Sequence, residues 1–440
     1  MKKLFAMLLA LVMVLSLAAC GGSDTSTEDT SEDTTGEETA AGSVYYLNFK
    51  PEADAAWQAL AKSYTEQFGV EVKVVTAASG EYNNTLTAEM GKSEAPTLFQ
   101  CGDSQSLLDW GDYCLDLTGT PVLGEMTTAD FNLVEDGATK AIGYCYEAFG
   151  IIVNKALLAE AGYELADITD FASLKAVAED ITARSAELGF AAFSAPGLDG
   201  SSSWRFSGHL TNLPLFYEFR DNGITEQPAE ITGAYVENFK NIWDLYINNT
   251  TVADLSTLPA STGDESTAQF KAGQAVFYQN GTWEYAGLSE VIDPSKLAMI
   301  PIYCGVEGEE NVALCSGTEN CWAVNSQASA EDIQATLDFI YWMASSEAGT
   351  AMMVEQFGAI PFKNAPASKN VFIAQNAEMV NAGKYSLTWA FNYTPNVDSW
   401  RAGVVTALAA YSADQTDANW EMVKSAIVDG WAIEYAMQNG

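Results

Sequence analysis

Tryptophan is the residue type whose positions most directly suggest chemistry in this chain of 440 residues, which contains 11 of them. Flat aromatic faces pack against the C–H side of a sugar ring, and planar polar groups pair with its hydroxyls. Four tryptophans lie in loop-like stretches or at a helix start: Trp204 in SAPGLDGSSSWRF, Trp283 in QNGTW, Trp389 in SLTWAFNYTP and Trp400 after TPNVDS. These four, together with Arg205 beside Trp204, are candidate ligand contacts. Five others follow helical spacing and are predicted to be core residues: Trp57, Trp243, Trp342, Trp420 and Trp431.

Polar side chains at the ends of predicted strands form a second group of candidates. Glu52 follows a strand from Val44 to Phe49, and Asp103 follows the strand APTLFQC. Ligand crevices of parallel sheets lie beyond the carboxyl ends of strands, so both acids are candidate ligand contacts. Each has a structural alternative, since Glu52 can serve the first turn of its helix and Asp103 can cap the helix SQSLLDW. Tyr82, which opens the second helix, is a candidate for stacking or hydrogen bonding.

The charge balance of the chain excludes several classes of partner. There are 59 Asp and Glu residues against 20 Lys and Arg, which gives a formal net charge of −39. Such a surface cannot neutralise a phosphate backbone or dock on anionic lipid, so no nucleic acid partner is expected. Its field repels anions, which favours a neutral ligand. Residues of the hydrophobic class make up 48% of the chain, enough to build a large core, and the single histidine, His209, is expected to be structural.

The N-terminus has the features of an export signal. Residues 1–20 begin with Lys2 and Lys3, continue with an apolar run shorter than the about 20 residues of a membrane span, and end in LAAC. This ending is similar to the bacterial lipoprotein box, which implies lipidation of Cys20. Residues 21–43 contain Gly, Ser, Thr, Asp and Glu but no apolar group larger than alanine, which predicts a disordered acidic tether. We therefore expect a protein anchored by lipid to the outer face of the cell membrane.

Six further cysteines leave the redox state open: Cys101, Cys114, Cys145, Cys304, Cys315 and Cys321. There is no CxxC pair, so no metal site is predicted, and no cofactor motif is present. An even number in an extracellular protein is compatible with disulfides, of which Cys315–Cys321 would close the shortest loop. Buried free thiols are an equal alternative, because a core of this size needs no covalent staples.

The order of predicted elements indicates an α/β protein. A strand at Val44–Phe49, a helix containing Trp57, the strand EVKVV, a helix over about 81–92 and the strand APTLFQC follow one another. This β-α-β-α-β order is typical of a mainly parallel sheet flanked by helices. The pattern restarts after Ala148, and the last roughly 95 residues are predicted to be helical.

Several strings, taken in order, resemble one family. They are AFGIIVNKALLAEAG (148–162), QFKAGQAVFYQNGTWEYAGL (269–288), CWAVNSQASAEDIQATLDFIYWMASSEAGTAMM (321–353) and FGAIPFKN (357–364). Together they resemble the extracellular solute-binding proteins of ABC importers, in the carbohydrate-binding group related to maltose-binding protein. The resemblance implies two α/β lobes joined by hinge crossings near Ala148, Pro301 and Ser345. The first lobe would then comprise 44–148 and 301–345, and the second lobe 149–300 and 346–440.

The resemblance also implies roles for individual residues. Trp283 matches a family tryptophan that stacks on sugar, and Asp103 matches an acid that accepts sugar hydroxyls. Glu147 aligns with a family glutamate on the first crossing, and Glu319-Asn320 lie on a loop that the family points into the cleft. The three cysteines after residue 300 and the pair Trp204-Arg205 depart from better-known members.

These observations support a binding protein that captures a sugar or oligosaccharide between two lobes and delivers it to an ABC permease, without catalysis and as a monomer. The alternative is a surface-tethered glycoside hydrolase with Glu52 and Asp103 as paired carboxylates. A third reading, an adhesin or structural surface protein, would lack a closed cleft between lobes.

Overall fold

The computed structural model describes residues 42–440. The predicted signal peptide, Cys20 and nearly all of the predicted tether lie outside the described residues. The last tether residue, Ser43, already belongs to the folded part, because its backbone N–H donates to Asp332 Oδ1 at 2.7 Å. In the described part of the chain, no helix has the length and apolar character that a membrane crossing requires.

The described strands form two sheets. The strands are β1 (Val44–Asn48), β2 (Val72–Thr76), β3 (Leu98–Gln100), β4 (Leu133–Glu135), β5 (Ala138–Gly143), β6 (Glu147–Asn154), β7 (Ala191–Phe193), β8 (Ala275–Gly281), β9 (Leu297–Ile300), β10 (Val312–Gly317), β11 (Cys321–Val324) and β12 (Tyr385–Thr388). The first sheet has the order β2-β1-β3-β11-β5-β4. The second has the order β12-β10-β6-β8-β7, with β9 also paired to β6. We call the first sheet and the helices on it the first lobe, and the second sheet and its helices the second lobe.

Helices cover both sheets. They are α1 (Asp54–Phe68), α2 (Tyr82–Met90), α3 (Ser104–Trp110), α4 (Pro121–Glu125), α5 (Lys155–Glu160), α6 (Phe171–Ala183), α7 (Ser185–Leu188), α8 (Asn212–Asn222), α9 (Val236–Asn248), α10 (Gly263–Lys271), α11 (Tyr285–Ser289), α12 (Ala330–Ser345), α13 (Glu347–Phe357), α14 (Val371–Asn381), α15 (Val397–Ala413) and α16 (Asp417–Asn439). A π-helix spans Arg205–Leu210. The expectation of helices alone after about residue 345 misses β12, which pairs with β10.

Both sheets are mixed, which corrects the expectation of mainly parallel sheets. In the first sheet, β1 runs parallel to β2 and β3, but β11 is antiparallel to β3 and β5. In the second sheet, β6 is antiparallel to β8, β9 and β10. The β-α-β order at the N-terminus does produce parallel neighbours, as predicted. The antiparallel pairs named here join distant parts of the chain, and local order carries no information about them.

The chain passes between the sheets at two short segments. Residues 144–146 join β5 to β6, and residues 318–320 join β10 to β11. The first lies close to the crossing predicted near Ala148. The described chain has no passage at the crossing predicted near Pro301. Strand β10 follows Pro301 and still pairs with β6 in the second sheet. Pro301 ends β9 and leads into a loop rather than into the other sheet.

Packing places the third passage later than the predicted boundary at 345/346. Met353 and Phe357 of α13, and Phe362 after it, belong to the core of the first lobe. Phe372 of α14 packs with Ile152 and Met299 of the second sheet. The chain therefore returns to the second lobe between 362 and 372. Whether the predicted boundaries delimit lobes that move as rigid bodies stays a prediction.

Large aromatic side chains centre both cores. Trp57 on α1 is fully buried and its ring lies 5.0 Å from that of Tyr46 and 6.2 Å from that of Trp322. Helical spacing turns one face of α1 inward, and Gly69, with φ of 72°, ends the helix in the left-handed conformation. The prediction that the five tryptophans with helical spacing are core residues is confirmed, since each is at most 7% exposed: Trp57, Trp243, Trp342, Trp420 and Trp431.

The six described cysteines are all buried free thiols. Of the two states that the sequence left open, the structure has the reduced one. Among residues 42–440, no group of three or more His, Cys, Asp or Glu residues is arranged to hold a metal ion.

Candidate functional site

Four aromatic residues of the second lobe meet at its edge facing the first lobe. The ring centroid of His209 lies 5.0 Å from that of Trp204, 5.4 Å from that of Trp283 and 5.9 Å from that of Trp389. The rings of Trp204 and Trp283 are 6.0 Å apart. We call Trp204, His209, Trp283 and Trp389 the aromatic cluster. Three of the four loop tryptophans predicted from the sequence are therefore brought together.

Glycines next to two tryptophans allow the rings to lie on the backbone. A Cβ atom on Gly281, the last residue of β8, would come within 2.1 Å of the Trp283 ring. A Cβ atom on Gly317, at the end of β10, would come within 2.6 Å of Trp389 Cγ. Real Cβ atoms essentially never approach so closely, so only glycine permits these ring positions. Both rings are thus set by rigid strand ends.

The π-helix Arg205–Leu210 supplies the other half of the aromatic cluster. Trp204 precedes it, and the Trp204 Nε1–H donates to Ser201 O at 2.9 Å. His209, near its end, stacks on Phe149 of β6 with centroids 4.1 Å apart and an interplanar angle of 5°. Burial lowers the pKa of His209 well below its usual value, and the nearby positive charge of Arg401 acts in the same direction. The imidazole is therefore neutral at pH 7.

A buried ion pair links the first lobe to this edge. Lys50 Nζ donates to both carboxylate oxygens of Glu147, at 2.9 and 3.1 Å, and lies 3.2 Å from Glu52 Oε1. Asn320, on the second passage, donates to Glu147 Oε2 at 2.7 Å. Burial alone would lower the pKa of Lys50, but the carboxylates of Glu147 and Glu52 outweigh it and hold that pKa above its usual value. Lys50 Nζ also lies 5.4 Å from the ring centroid of Trp283, which places the ion pair beside the aromatic cluster.

An acidic group lies on the other side of the site. Burial raises the pKa of Glu319 to about 8, and the negative charge of Asp103 adds to the rise. Burial also raises the pKa of Asp103, although this carboxylate accepts the Ser106 N–H at 2.7 Å as the N-cap of α3. Arg401 is the nearby cation, and its Nε donates to Ser207 Oγ at 3.3 Å. Asp103 thus fulfils the structural alternative stated for it and still faces the site.

Several buried polar atoms around the site have no hydrogen-bond partner in the described part of the protein. They are His209 Nδ1, Trp389 Nε1, Asn320 Oδ1, Asn392 Oδ1 and Gln100 Oε1. Buried polar groups are nearly always paired, so these donors and acceptors have hydrogen-bonding capacity left for a polar molecule. Donors and acceptors that surround flat rings suit a ligand with many hydroxyl groups.

Direct contacts between the lobes line the rim of the site. Asn83 on α2 donates to Asp398 on α15 at 2.7 Å, and the Asn396 N–H donates to Gln105 Oε1 at 3.2 Å. The lobes therefore touch across the opening, which corresponds to a closed arrangement.

The structure does not bring three of the predicted contacts into the site. Trp400 is 2% exposed, donates to Ile427 O at 3.0 Å and packs on Trp431 in the contact of α15 with α16. Tyr82 packs in a core cluster of the first lobe, where its hydroxyl accepts the Gln100 N–H at 2.7 Å. Arg205 points into the core of the second lobe, where it donates to Gln279 O. Helical spacing explains Trp400, whose neighbour Arg401 faces the site instead.

The residues that sequence reasoning missed are Lys50, His209 and Arg401. Lys50 directly follows the first strand, the same signal that selected Glu52. His209 was interpreted as structural, and no local pattern distinguishes a histidine that stacks in a core from one at a site. Arg401 directly follows the candidate Trp400 in the sequence.

A sequence profile of the bacterial extracellular solute-binding protein family matches residues 59–381. The chain therefore belongs to this family, which confirms the resemblance noted in the sequence. No curated protein matches the chain significantly.

Solved structures share the fold across nearly the whole chain. The binding protein RafE in complex with raffinose has a TM-score of 0.71 at 14% identity, covering 89% of this chain and 99% of its own. The GacH receptor of Streptomyces glaucescens, described with acarbose, has a TM-score of 0.64 at 20% identity, covering 90% and 99%. A sugar transporter protein from Bacillus licheniformis in complex with stachyose has a TM-score of 0.67 at 15% identity, covering 89% and 100%. These likenesses confirm the predicted two-lobed α/β fold.

Proposed function

We propose that the protein captures a neutral sugar or oligosaccharide between its two lobes and delivers it to an ABC permease. The observation that carries this proposal is the aromatic cluster surrounded by buried polar atoms without partners. Raffinose, acarbose and stachyose, the ligands of the similar structures, are carbohydrates with several rings. The proposed contacts are Trp204, His209, Trp283, Trp389, Glu52, Asp103, Glu319, Asn320 and Arg401.

The two carboxylates beside Lys50, those of Glu147 and Glu52, have different parts in this proposal. Glu147 already accepts three hydrogen bonds, from Lys50 and Asn320, so its main part is to orient the edge of the site. Glu52 is 37% exposed at its side chain and keeps free oxygen capacity for a hydroxyl. Since the acids of the site outnumber its two cations, an anionic sugar would be repelled.

We propose that no catalysis accompanies binding. Of the two carboxylates considered for hydrolysis, Glu52 pairs with Lys50 and Asp103 caps α3. Neither is a free carboxyl poised to protonate a leaving group. Release of reducing ends from a sugar that binds, lost in Glu52→Gln, would overturn this part of the proposal.

We also propose that Cys20 carries a lipid anchor, which holds the protein at the outer face of the cell membrane. We propose in addition that the protein is a monomer. The lobe limits we propose follow the passages: 42–146 and 318–362 for the first lobe, and 147–317 and 372–440 for the second. Mass spectrometry of the exported protein tests the anchor. A diacylated Cys20 as the first residue is expected, and an unmodified Cys20 would contradict it.

A panel of neutral mono- and oligosaccharides, read by thermal unfolding, tests the binding function. Ligand at 100 times its dissociation constant adds about 2.7 kcal/mol to the free energy of unfolding. We expect a saturable rise in melting temperature with at least one sugar and none with sulfate or phosphate at equal ionic strength. A panel in which no carbohydrate shifts the transition would contradict the proposal.

A further inference from the structure

Arg205 is a buried cation without a carboxylate partner. It is 2% exposed, and its Nη1 donates to Gln279 O at 3.0 Å. Its Nη2 donates to the hydroxyls of Ser202 and Ser266, at 2.7 and 3.0 Å. All three acceptors are neutral, and among residues 42–440 no carboxylate forms an ion pair with this guanidinium. Glu284 and Asp199 act on this charge only from beyond ion-pair distance, and the rings of Phe206 and Tyr278 lie beside it. A buried charge without an anion in contact is costly.

A small cavity lies against this side chain. Its volume is about 10 Å³, which is enough for the centre of one water-sized particle. Phe193, Pro196 and Phe206 form its apolar wall, and Arg205, Tyr246 and Gln279 form its polar wall. A sulfate, phosphate or carboxylate is too large for this space.

The three polar residues named above each carry a buried polar atom without a partner. Arg205 Nε, the Tyr246 hydroxyl and both polar atoms of the Gln279 side chain are buried and form no hydrogen bond in the described structure. An N–H, an O–H and an amide NH₂ are all donors, and the amide of Gln279 can turn either end to the cavity. Several donors around one cavity next to a positive charge suit an anion.

We propose that this cavity binds a single halide ion, chloride under natural conditions. The ion accepts from Arg205 Nε, Tyr246 Oη and Gln279 Nε2 and brings a negative charge into contact with the guanidinium. A water molecule would satisfy some of the donors but would bring no negative charge into that contact. The site lies in the core of the second lobe and does not depend on the sugar function.

Crystals grown in sodium bromide test the proposal, with diffraction recorded at the bromine absorption edge. We expect an anomalous peak in the cavity between Arg205, Tyr246 and Gln279. Density for water alone, without an anomalous signal, would overturn the proposal, and this result does not rely on any variant folding.

Melting curves provide a second test, with chloride exchanged for gluconate at constant ionic strength. The melting temperature should rise with chloride and saturate, and Tyr246→Phe should move the midpoint to at least tenfold higher chloride. Tyr217→Phe is the matched control, because the Tyr217 hydroxyl is also buried without a partner but does not line the cavity. A chloride response that is absent, or that is equal in Tyr246→Phe and Tyr217→Phe, would overturn the proposal.

Discussion

At the scale of single residues, the candidate site combines flat rings with polar atoms that the protein leaves free. Trp283 and Trp389 are fixed by the glycine backbone beneath them, so their faces need little ordering when a ligand arrives. Ordering costs oppose binding, and rings held in place in advance reduce them. His209 adds a neutral imidazole whose Nδ1 is unpaired. The aromatic end of the site therefore combines rings with hydrogen-bond partners, and the charge closest to it is the paired Lys50.

Glu319 should make stability depend on pH. Its pKa in the folded protein is about 8, against 4.5 in its ordinary state, so the folded protein holds a proton that the unfolded chain has released between these values. Stability contributed by this group is thus complete below about pH 4.5 and is lost as pH rises to about 8. We expect Glu319→Gln to flatten the fall in melting temperature across this range. The exposed Glu226→Gln is the control, and an equal slope in both variants would contradict the assignment.

The sequence predicts individual site residues best in loops, where no choice between the buried and exposed faces of a helix is needed. Trp204, Trp283 and Trp389 lie outside helices in the sequence pattern and meet in the structure. Trp400 begins α15, where a shift of one residue along the helix rotates a side chain from the site to the core. Tyr82 fails for a similar reason, since the first turn of α2 faces the first sheet. Local patterns do not specify which face of a helix end is buried.

At the scale of elements, the two short passages between the sheets are connected by the hydrogen bonds of the Lys50–Glu147 ion pair. Lys50 follows β1, Glu147 begins β6, and Asn320 lies between β10 and β11. Their hydrogen bonds tie the end of one strand to both short passages. The parallel β1-β2-β3 part was predictable from the order of elements. The pairings of β10 with β6 and of β11 with β3 and β5 were not, because they join residues more than 150 positions apart, as in Cys315 with Phe149.

Removing one partner of the Lys50–Glu147 pair should destabilise the protein strongly. Lys50→Met leaves Glu147 buried without a cation, which costs about 3–5 kcal/mol. Glu147→Leu should cost less, because Lys50 keeps its ion pair with Glu52. The double variant should be more stable than the sum of the two losses predicts, as measured by urea unfolding. Lys62→Met removes an exposed pair with Glu66 and should cost under about 1 kcal/mol. Single variants that are no more destabilised than Lys62→Met would contradict the structural role.

At the scale of the whole molecule, the lobes are closed across the site. The rim contacts join α2 to α15, and the loop before α15 to α3. Closure of two lobes around a ligand is a shift between an open and a closed population, biased by contacts to both sides. The formal net charge of −39 repels anionic solutes from the protein. It has no such effect on neutral ones.

Loss of a rim contact should speed ligand release. Asn83→Ala removes the hydrogen bond to Asp398 and should favour the open form. One such bond contributes about 0.5–1.5 kcal/mol, so the dissociation rate should rise roughly two- to tenfold in stopped-flow fluorescence. Asn84→Ala, whose side chain bonds only to Glu81 in its own lobe, is the matched control. Equal release rates in the two variants would show that this contact does not hold the closed form.

Calorimetric titration of Trp283→Ala with the sugar that best stabilises the native protein tests the central claim most directly. Trp283 is the member of the aromatic cluster that lies beside Lys50 of the first lobe, and its other neighbour is Trp204. Loss of its stacking face should weaken binding at least tenfold, about 1.4 kcal/mol, with the fold intact by circular dichroism. Trp110→Ala, which removes a ring packed on Tyr113, should leave the affinity unchanged. Undiminished sugar affinity in Trp283→Ala would contradict the account.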